Sequence, residues 1–232
     1  MKTLSDFPIT NRWPAKEPSI IQLYSFPTPN GVKASIALEE MELPYEAHKV
    51  TLSDEDVKSD AFLSLNPNNK IPAIIDPNGP DGGPVGLFES GAILLYLAEK
   101  TGKLAGANAT EKAHVTQWLM FQMGGLGPML GQLGFFYKFA GSTWEDKRPQ
   151  ERYINEAKRL LGVLDGALEG KDWIADDYSI ADIAIAPWLR ALDFYGAKEV
   201  VGFADHKNLV AYLDRFLERP AVQTGLVTPP RD

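Results

Sequence analysis

The strongest constraint on this chain is the point at which its strand-like segments stop. Up to about residue 102, short β-branched or aromatic runs alternate with amphipathic patterns; beyond about residue 108 only helical periodicity remains. Ile20 to Ser25, ended by Pro27, reads as a buried strand. Behind the turn cluster Thr28-Pro29-Asn30-Gly31, the residues Ala34, Ala37, Leu38 and Met41 recur at helical spacing until Pro44 stops them. Tyr45 to Thr51 reads as a second strand and Ser53 to Leu65 as a short helix. Ile71 to Asp76 and Val85 to Phe88 form two more strands, paired through a tight reversal. Glu89-Ser90 opens an apolar helix that ends near Thr101-Gly102.

The order strand, helix, strand, helix, strand, strand, helix is a right-handed βαβ unit followed by a hairpin and a covering helix, the thioredoxin-like arrangement. In the second half, Ile154, Ala157, Leu161, Leu164 and Leu168 form one side of a long helix, and Leu209, Tyr212, Leu213, Phe216 and Leu217 repeat the pattern. Ser179-Ile-Ala-Asp182 reads as a capping box with Asp in place of Glu. The expected organisation is an irregular extension over 1–19, a thioredoxin-like domain over 20–102, a linker over 103–108 and an all-helical domain over 109–232.

Charge and cysteine content narrow the chemistry. The 23 basic and 31 acidic side chains give a net charge of −8, the wrong sign for a phosphodiester partner, so no nucleic acid is expected. There is no cysteine, which excludes disulfides, thiolate zinc sites and a protein thiol nucleophile. His48, His114 and His206 lie too far apart in sequence for a histidine metal motif, and no metal is expected. Sulfur chemistry therefore needs a thiol supplied by a ligand. The N-terminal stretch lacks a secretory apolar region, and runs such as Ala92 to Ala98 are too short to span a bilayer; the expectation is a cytoplasmic protein without a membrane partner.

Three places combine polar side chains with strand ends. Asn30, with Thr28 beside it, stands where a strand hands over to a helix, and aligned N–H groups there suit a phosphate, carboxylate or thiolate; a helix cap alone is the other reading. Glu89-Ser90, at a second such junction, can take the carboxylate and ammonium of an amino acid, or again be a capped helix. Lys70-Ile71-Pro72-Ala73 enters a strand through a candidate cis peptide that would turn the Ile71 backbone toward a groove; a trans edge proline is the alternative. Gly124-Gly125-Leu126-Gly127-Pro128 either kinks a helix or ends it, and Phe135, Phe136, Tyr137 and Phe139 read as core or cavity wall.

In combination, these strings resemble the glutathione transferases. Ile71-Pro72-Ala73, Glu89-Ser90 and the Ser179 to Asp182 cap carry the family likeness. Leu23-Tyr24…Thr28-Pro29-Asn30-Gly31, Asn66 to Ala73, Leu87 to Lys100, Gly124 to Gln132 and Glu151-Arg152-Tyr153 resemble the bacterial Nu class. The resemblance implies the cytosolic glutathione transferase fold and a homodimer. Each subunit would bind two glutathiones, or one glutathione disulfide, and reduce small disulfides. It places Thr28 and Asn30 at the sulfur, Ile71 and Pro72 at the cysteinyl backbone, and Glu89 and Ser90 at the γ-glutamyl end. Lys70 and Arg152 become carboxylate partners. Conjugation to electrophiles or hydroperoxide reduction is a second enzymatic reading, and a non-catalytic glutathione-binding or regulatory protein a third. Val57 stands where the class carries a glutamine, with Ser53 or Lys58 as substitutes. Trp13, in the extension, is read either as part of a dimer interface or as part of a mobile tail.

Overall fold

Strand β1 (Ile21–Ser25) is buried at every position and is central because both neighbours pair with it. It runs parallel to β2 (Tyr45–Lys49) and antiparallel to β3 (Ala73–Asp76), which pairs with β4 (Val85–Phe88) as a hairpin, giving the order β2-β1-β3-β4. Helix α1 (Gly31–Glu40) connects the parallel pair. Between β2 and β3 lie two one-turn helices, α2 (Asp54–Val57) and α3 (Asp60–Leu63), and after β4 comes α4 (Ser90–Thr101), ended by left-handed Gly102. The computed structural model describes residues 3–231, which divide into two compact units, 3–103 with 220–231, and 104–219.

The second unit is helical: α5 (Ala109–Phe121), α6 (Gly127–Tyr137), α7 (Arg148–Ala167), α8 (Ile180–Tyr195) and α9 (Lys207–Leu217). Ala157, Leu161 and Leu164 of α7 are buried, as the periodicity of the long helix requires. The Gly124 to Pro128 run does not end the helix: a π turn over Gln122–Leu126 joins α5 directly to α6. Phe135 and Phe139 are 37% and 47% exposed, so they are not core.

Several boundaries differ from the sequence expectation. The single helix expected over Ser53 to Leu65 is two, because Ser59 breaks it and its hydroxyl caps the second through the Phe62 N–H at 3.2 Å. The third strand starts at Ala73, since Pro72 has no N–H to give a ladder. The segment expected as a linker, 103–108, is held at Leu104, whose carbonyl accepts the Ile180 N–H at 3.0 Å, and Asn108 caps α5. The last helix, α10 (Pro220–Gly225), packs on α1 within the first unit, where 109–232 was expected to be one helical domain. Gly225 allows this: a Cβ there would meet Ile36 at 2.7 Å, and Ser35 donates to the Gly225 carbonyl at 2.6 Å.

The extension is not a tail within its described part. Two 3₁₀ turns, Leu4–Asp6 and Pro8–Asn11, bring Ile9 into a fully buried position beside Tyr24, Val50, Val57, Phe62 and Ile75, with Leu4, Phe7 and Trp13 packed around them. The Trp13 indole donates to the Lys49 carbonyl at 3.1 Å, and Arg12 pairs with Asp56 at 2.6 Å. Trp13 thus packs on its own unit's sheet, edge-on to Tyr24.

Candidate functional site

The register brings the three sequence-predicted places to one end of the sheet. Ala73 lies opposite both Tyr24 of β1 and Phe88 of β4. Since β3 is antiparallel to both, its entry at Ile71-Pro72 stands beside the exits of β1 and β4, one residue before Glu89. The turn of Thr28 and Asn30 follows the first exit, and Glu89-Ser90 follows the second.

At the first exit, Pro27 to Gly31 forms a tight turn. Gly31 admits no side chain: a Cβ would stand 1.9 Å from the Phe26 carbonyl oxygen. The Thr28 hydroxyl accepts the Gly31 N–H at 3.2 Å and its carbonyl accepts the Val32 N–H at 3.0 Å. The cap is therefore Thr28, which corrects the reading of Asn30 as a helix cap; the Asn30 side chain makes no capping hydrogen bond. Thr28 and Asn30 are both half-buried.

At the entry of β3, Asn66 is buried and shapes the loop, accepting the Asn68 N–H at 2.9 Å and donating to the Lys70 carbonyl at 2.5 Å. The Ile71–Pro72 peptide is cis, as the sequence reading expects. The Ile71 side chain enters the core, while among the described residues its N–H and C=O take no hydrogen bond. Lys70 is exposed.

At the second exit, Glu89 adopts a left-handed backbone at φ 72°, unfavourable for a residue with a Cβ and an indicator of imposed geometry. Its side chain is exposed and Ser90 is buried, with the Ser90 hydroxyl 3.4 Å from Lys33 Nζ. Lys33, on α1, is fully buried, and burial lowers its pKa to about 7 despite the nearby Glu89 carboxylate. The sequence reading did not single it out; its signal is a lysine inside an otherwise uncharged run, Gly31 to Leu38.

The loop after β2 offers little. Val57 is buried in the apolar cluster, Ser53 shares its hydroxyl with Thr51 at 2.8 Å, and Lys58 pairs with Asp54 at 2.7 Å. Arg152 lies in the second unit, exposed at the first turns of α7. It lines an open pocket of about 410 Å³ with Phe136, Asp146, Arg148, Pro149 and Tyr153. Phe136 stacks on Tyr153 at 5.4 Å, and Trp144 meets Phe136 edge-on. Arg148 is taken by Asp146 and Glu156 by Arg159, so among the described residues Arg152 makes no hydrogen bond or ion pair.

A thioredoxin-like sheet with polar groups gathered at one end, accompanied by a separate helical unit, defines a class of two-domain proteins. Sequence comparison gives the family: the glutathione S-transferase N-terminal domain matches residues 19–99 and the glutathione S-transferase C-terminal domain residues 128–220. The chain belongs to the glutathione transferases and is an enzyme of that family. It is 45% identical over 210 residues, 90% of this chain and 95% of the relative, to the disulfide-bond oxidoreductase YfcG of Escherichia coli. A Pseudomonas putida glutathione transferase crystallised with one glutathione disulfide per subunit is 60% identical, with a TM-score of 0.97 over 98% of this chain and 100% of that one. A Burkholderia graminis glutathione transferase with two glutathiones per subunit is also 60% identical, with a TM-score of 0.97 over 100% and 98%. No helix among the described residues is long and apolar enough to cross a membrane.

Proposed function

We propose that this chain is a cytoplasmic, homodimeric Nu-class enzyme that reduces small disulfides with two glutathiones per subunit. The observation that carries the reading is the meeting of Thr28-Asn30, Ile71-Pro72 and Glu89-Ser90 at one end of a sheet in a chain without cysteine. Both sulfurs must then come from ligands. In the first step a glutathione thiolate attacks one sulfur of the substrate disulfide, forming a mixed disulfide and releasing a thiolate that takes up a proton. In the second, the thiolate of the other glutathione attacks the glutathione sulfur of that mixed disulfide, releasing the remaining substrate thiolate and leaving glutathione disulfide.

The residues divide this work. A free thiol titrates near about 8.5 and is mostly protonated at neutral pH. The N-terminal end of α1 and the donors Thr28 and Asn30 favour the thiolate instead. Thr28 is suited to this because its oxygen already accepts the Gly31 N–H, which polarises its own O–H. Ile71 pairs with the cysteinyl backbone as a neighbouring strand would, with Pro72 fixing the approach. Glu89 takes the γ-glutamyl ammonium and Ser90 its carboxylate. Lys70 serves a carboxylate of the inner glutathione and Arg152 one of the outer, since guanidinium offers a carboxylate paired donors.

Calorimetry should give two glutathiones per subunit in wild type, with glutathione disulfide competing for both. In Arg152→Ala the second event should weaken by about tenfold, as expected for a lost charge-assisted hydrogen bond, with the first nearly intact. Equal loss at both sites, or none, would return Arg152 to a surface role; a single site indifferent to the disulfide would favour a conjugating transferase.

A further inference from the structure

We infer that Arg231 is a positioning residue of the sulfur site: held on the Pro27 carbonyl, its guanidinium braces the turn of Thr28 and Asn30 and draws the bound thiol toward its thiolate form. The inference rests on the glutathione reading and deepens it.

The path of the chain after α10 carries the argument. α10 packs on α1, and the residues that follow it run to the exits of β1 and β2. The Leu226 N–H bonds the Val222 carbonyl at 2.9 Å, the Thr228 hydroxyl bonds the Thr224 carbonyl at 2.9 Å, and Pro229 is buried. Beyond it, the Arg231 carbonyl accepts from Nζ of Lys49, the last residue of β2. Arg231 Nη2 donates to the Pro27 carbonyl at 2.9 Å, and its guanidinium carbon stands 5.7 Å from the centre of the Phe26 ring. All of these contacts lie within the first unit.

Pro27 is the residue before Thr28. Its carbonyl shares a peptide with the Thr28 nitrogen, whose N–H turns back to the Phe26 carbonyl at 2.7 Å. The bonds between them keep Nη2 within about 8 Å of the Thr28 hydroxyl. That is about one Debye length at physiological ionic strength, so the charge is felt at the hydroxyl. A guanidinium also keeps its charge across the range in which thiols titrate.

The other charged groups on the elements around this segment are engaged elsewhere. On β2, Tyr45 bonds Glu39 at 2.5 Å, Glu46 accepts the Lys16 and Glu17 N–H groups, and His48 meets Gln22 at 2.8 Å. Glu39 and Glu40 stand at the far end of α1, and Lys33 reaches Ser90. In the extension, Arg12 pairs with Asp56. Among the described residues, Arg231 and Lys49 hydrogen-bond backbone carbonyls and pair with no carboxylate. Two cations on neutral acceptors leave a positive field at the exits of β1 and β2, in a chain whose net charge is −8.

The absence of cysteine makes the test direct, because thiolate absorbance in the ultraviolet then belongs to bound glutathione alone. The complex with S-methylglutathione, whose sulfur cannot titrate, serves as the blank. Arg231→Gln removes the charge from an exposed side chain and leaves the packing of α10 untouched. It should raise the pKa of the bound thiol by about half a unit, the effect of one charge at this distance near the surface. Arg231→Lys should recover most of that shift. In Arg231→Gln, kcat for disulfide reduction should fall about threefold on the acid side of the pH profile and little on the alkaline side. Affinity for S-methylglutathione should stay within about twofold of wild type. An unchanged thiol titration in Arg231→Gln, or an equal loss of kcat at every pH, would overturn the inference. So would an S-methylglutathione affinity lowered about tenfold with the thiol titration unmoved, which would make Arg231 a carboxylate partner instead. Those outcomes leave the glutathione reading standing, whereas wild type that binds neither glutathione nor S-methylglutathione would remove both.

Discussion

Asn30→Ala should lower kcat/KM for glutathione-dependent disulfide reduction by about 100-fold, the usual cost of losing one oriented donor beside developing charge. Its unfolding free energy should change by about 1 kcal/mol or less. The separation follows from the turn: Thr28, not Asn30, caps the Gly31 N–H, so Asn30→Ala leaves that cap in place. Thr28→Ala should behave differently, losing activity and also about 1 kcal/mol of stability, because it gives up the cap. Steady-state kinetics beside urea unfolding separates the two. If Asn30→Ala kept wild-type kcat/KM, thiolate stabilisation would fall to Thr28 and the backbone.

The largest effect on stability should come from Asp182. Its carboxylate is fully buried and receives the Ile174 N–H at 3.0 Å and the Ser179 N–H at 2.9 Å, while the Ser179 hydroxyl caps α8. Asp182→Ala leaves two buried N–H groups without acceptors, at about 1–3 kcal/mol each, so a loss of about 3 kcal/mol or more is expected. The pH dependence has a definite sign. Burial pushes the Asp182 carboxyl up to about 6 in the fold, against about 3.9 in the unfolded chain, so the native state holds this proton more tightly. Its proton-linked contribution is complete below about pH 4 and is lost as pH rises through 6. Asp182→Asn cannot titrate there, so the stability gap between wild type and this variant should narrow by about 2–3 kcal/mol from pH 4 to pH 7. A gap independent of pH would mean that the fold does not raise the Asp182 pKa.

Much of this was legible because it is local. The alternation that stops near residue 102 produced the four strands, and Ser179-Ile-Ala-Asp182 carried its capping geometry in four letters. The site turns were readable as well, since strand ends and helix starts are marked by Pro, Asn, Gly and Ser. What escaped depends on distant partners. Ile9 and Trp13 sit in a proline-rich stretch without periodicity, and only the exposed face of a folded sheet gives them somewhere to pack. Pro220 to Gly225 has the composition of a helical ending and joins the first unit because Gly225 fits against Ile36. Lys33 reads as a surface lysine, yet the fold leaves it no exposed surface. Whether Thr28 or Asn30, two residues apart, caps α1 is a choice that only the path of the turn decides.

The central claim is glutathione-dependent disulfide reduction, and the most direct measurement uses the wild-type protein with glutathione and 2-hydroxyethyl disulfide, coupled to glutathione reductase and NADPH, beside a chromogenic conjugation assay. The account predicts NADPH oxidation proportional to enzyme and saturable in the disulfide, with little conjugate formed. Conjugate formation without disulfide turnover, or glutathione binding with neither, would contradict it.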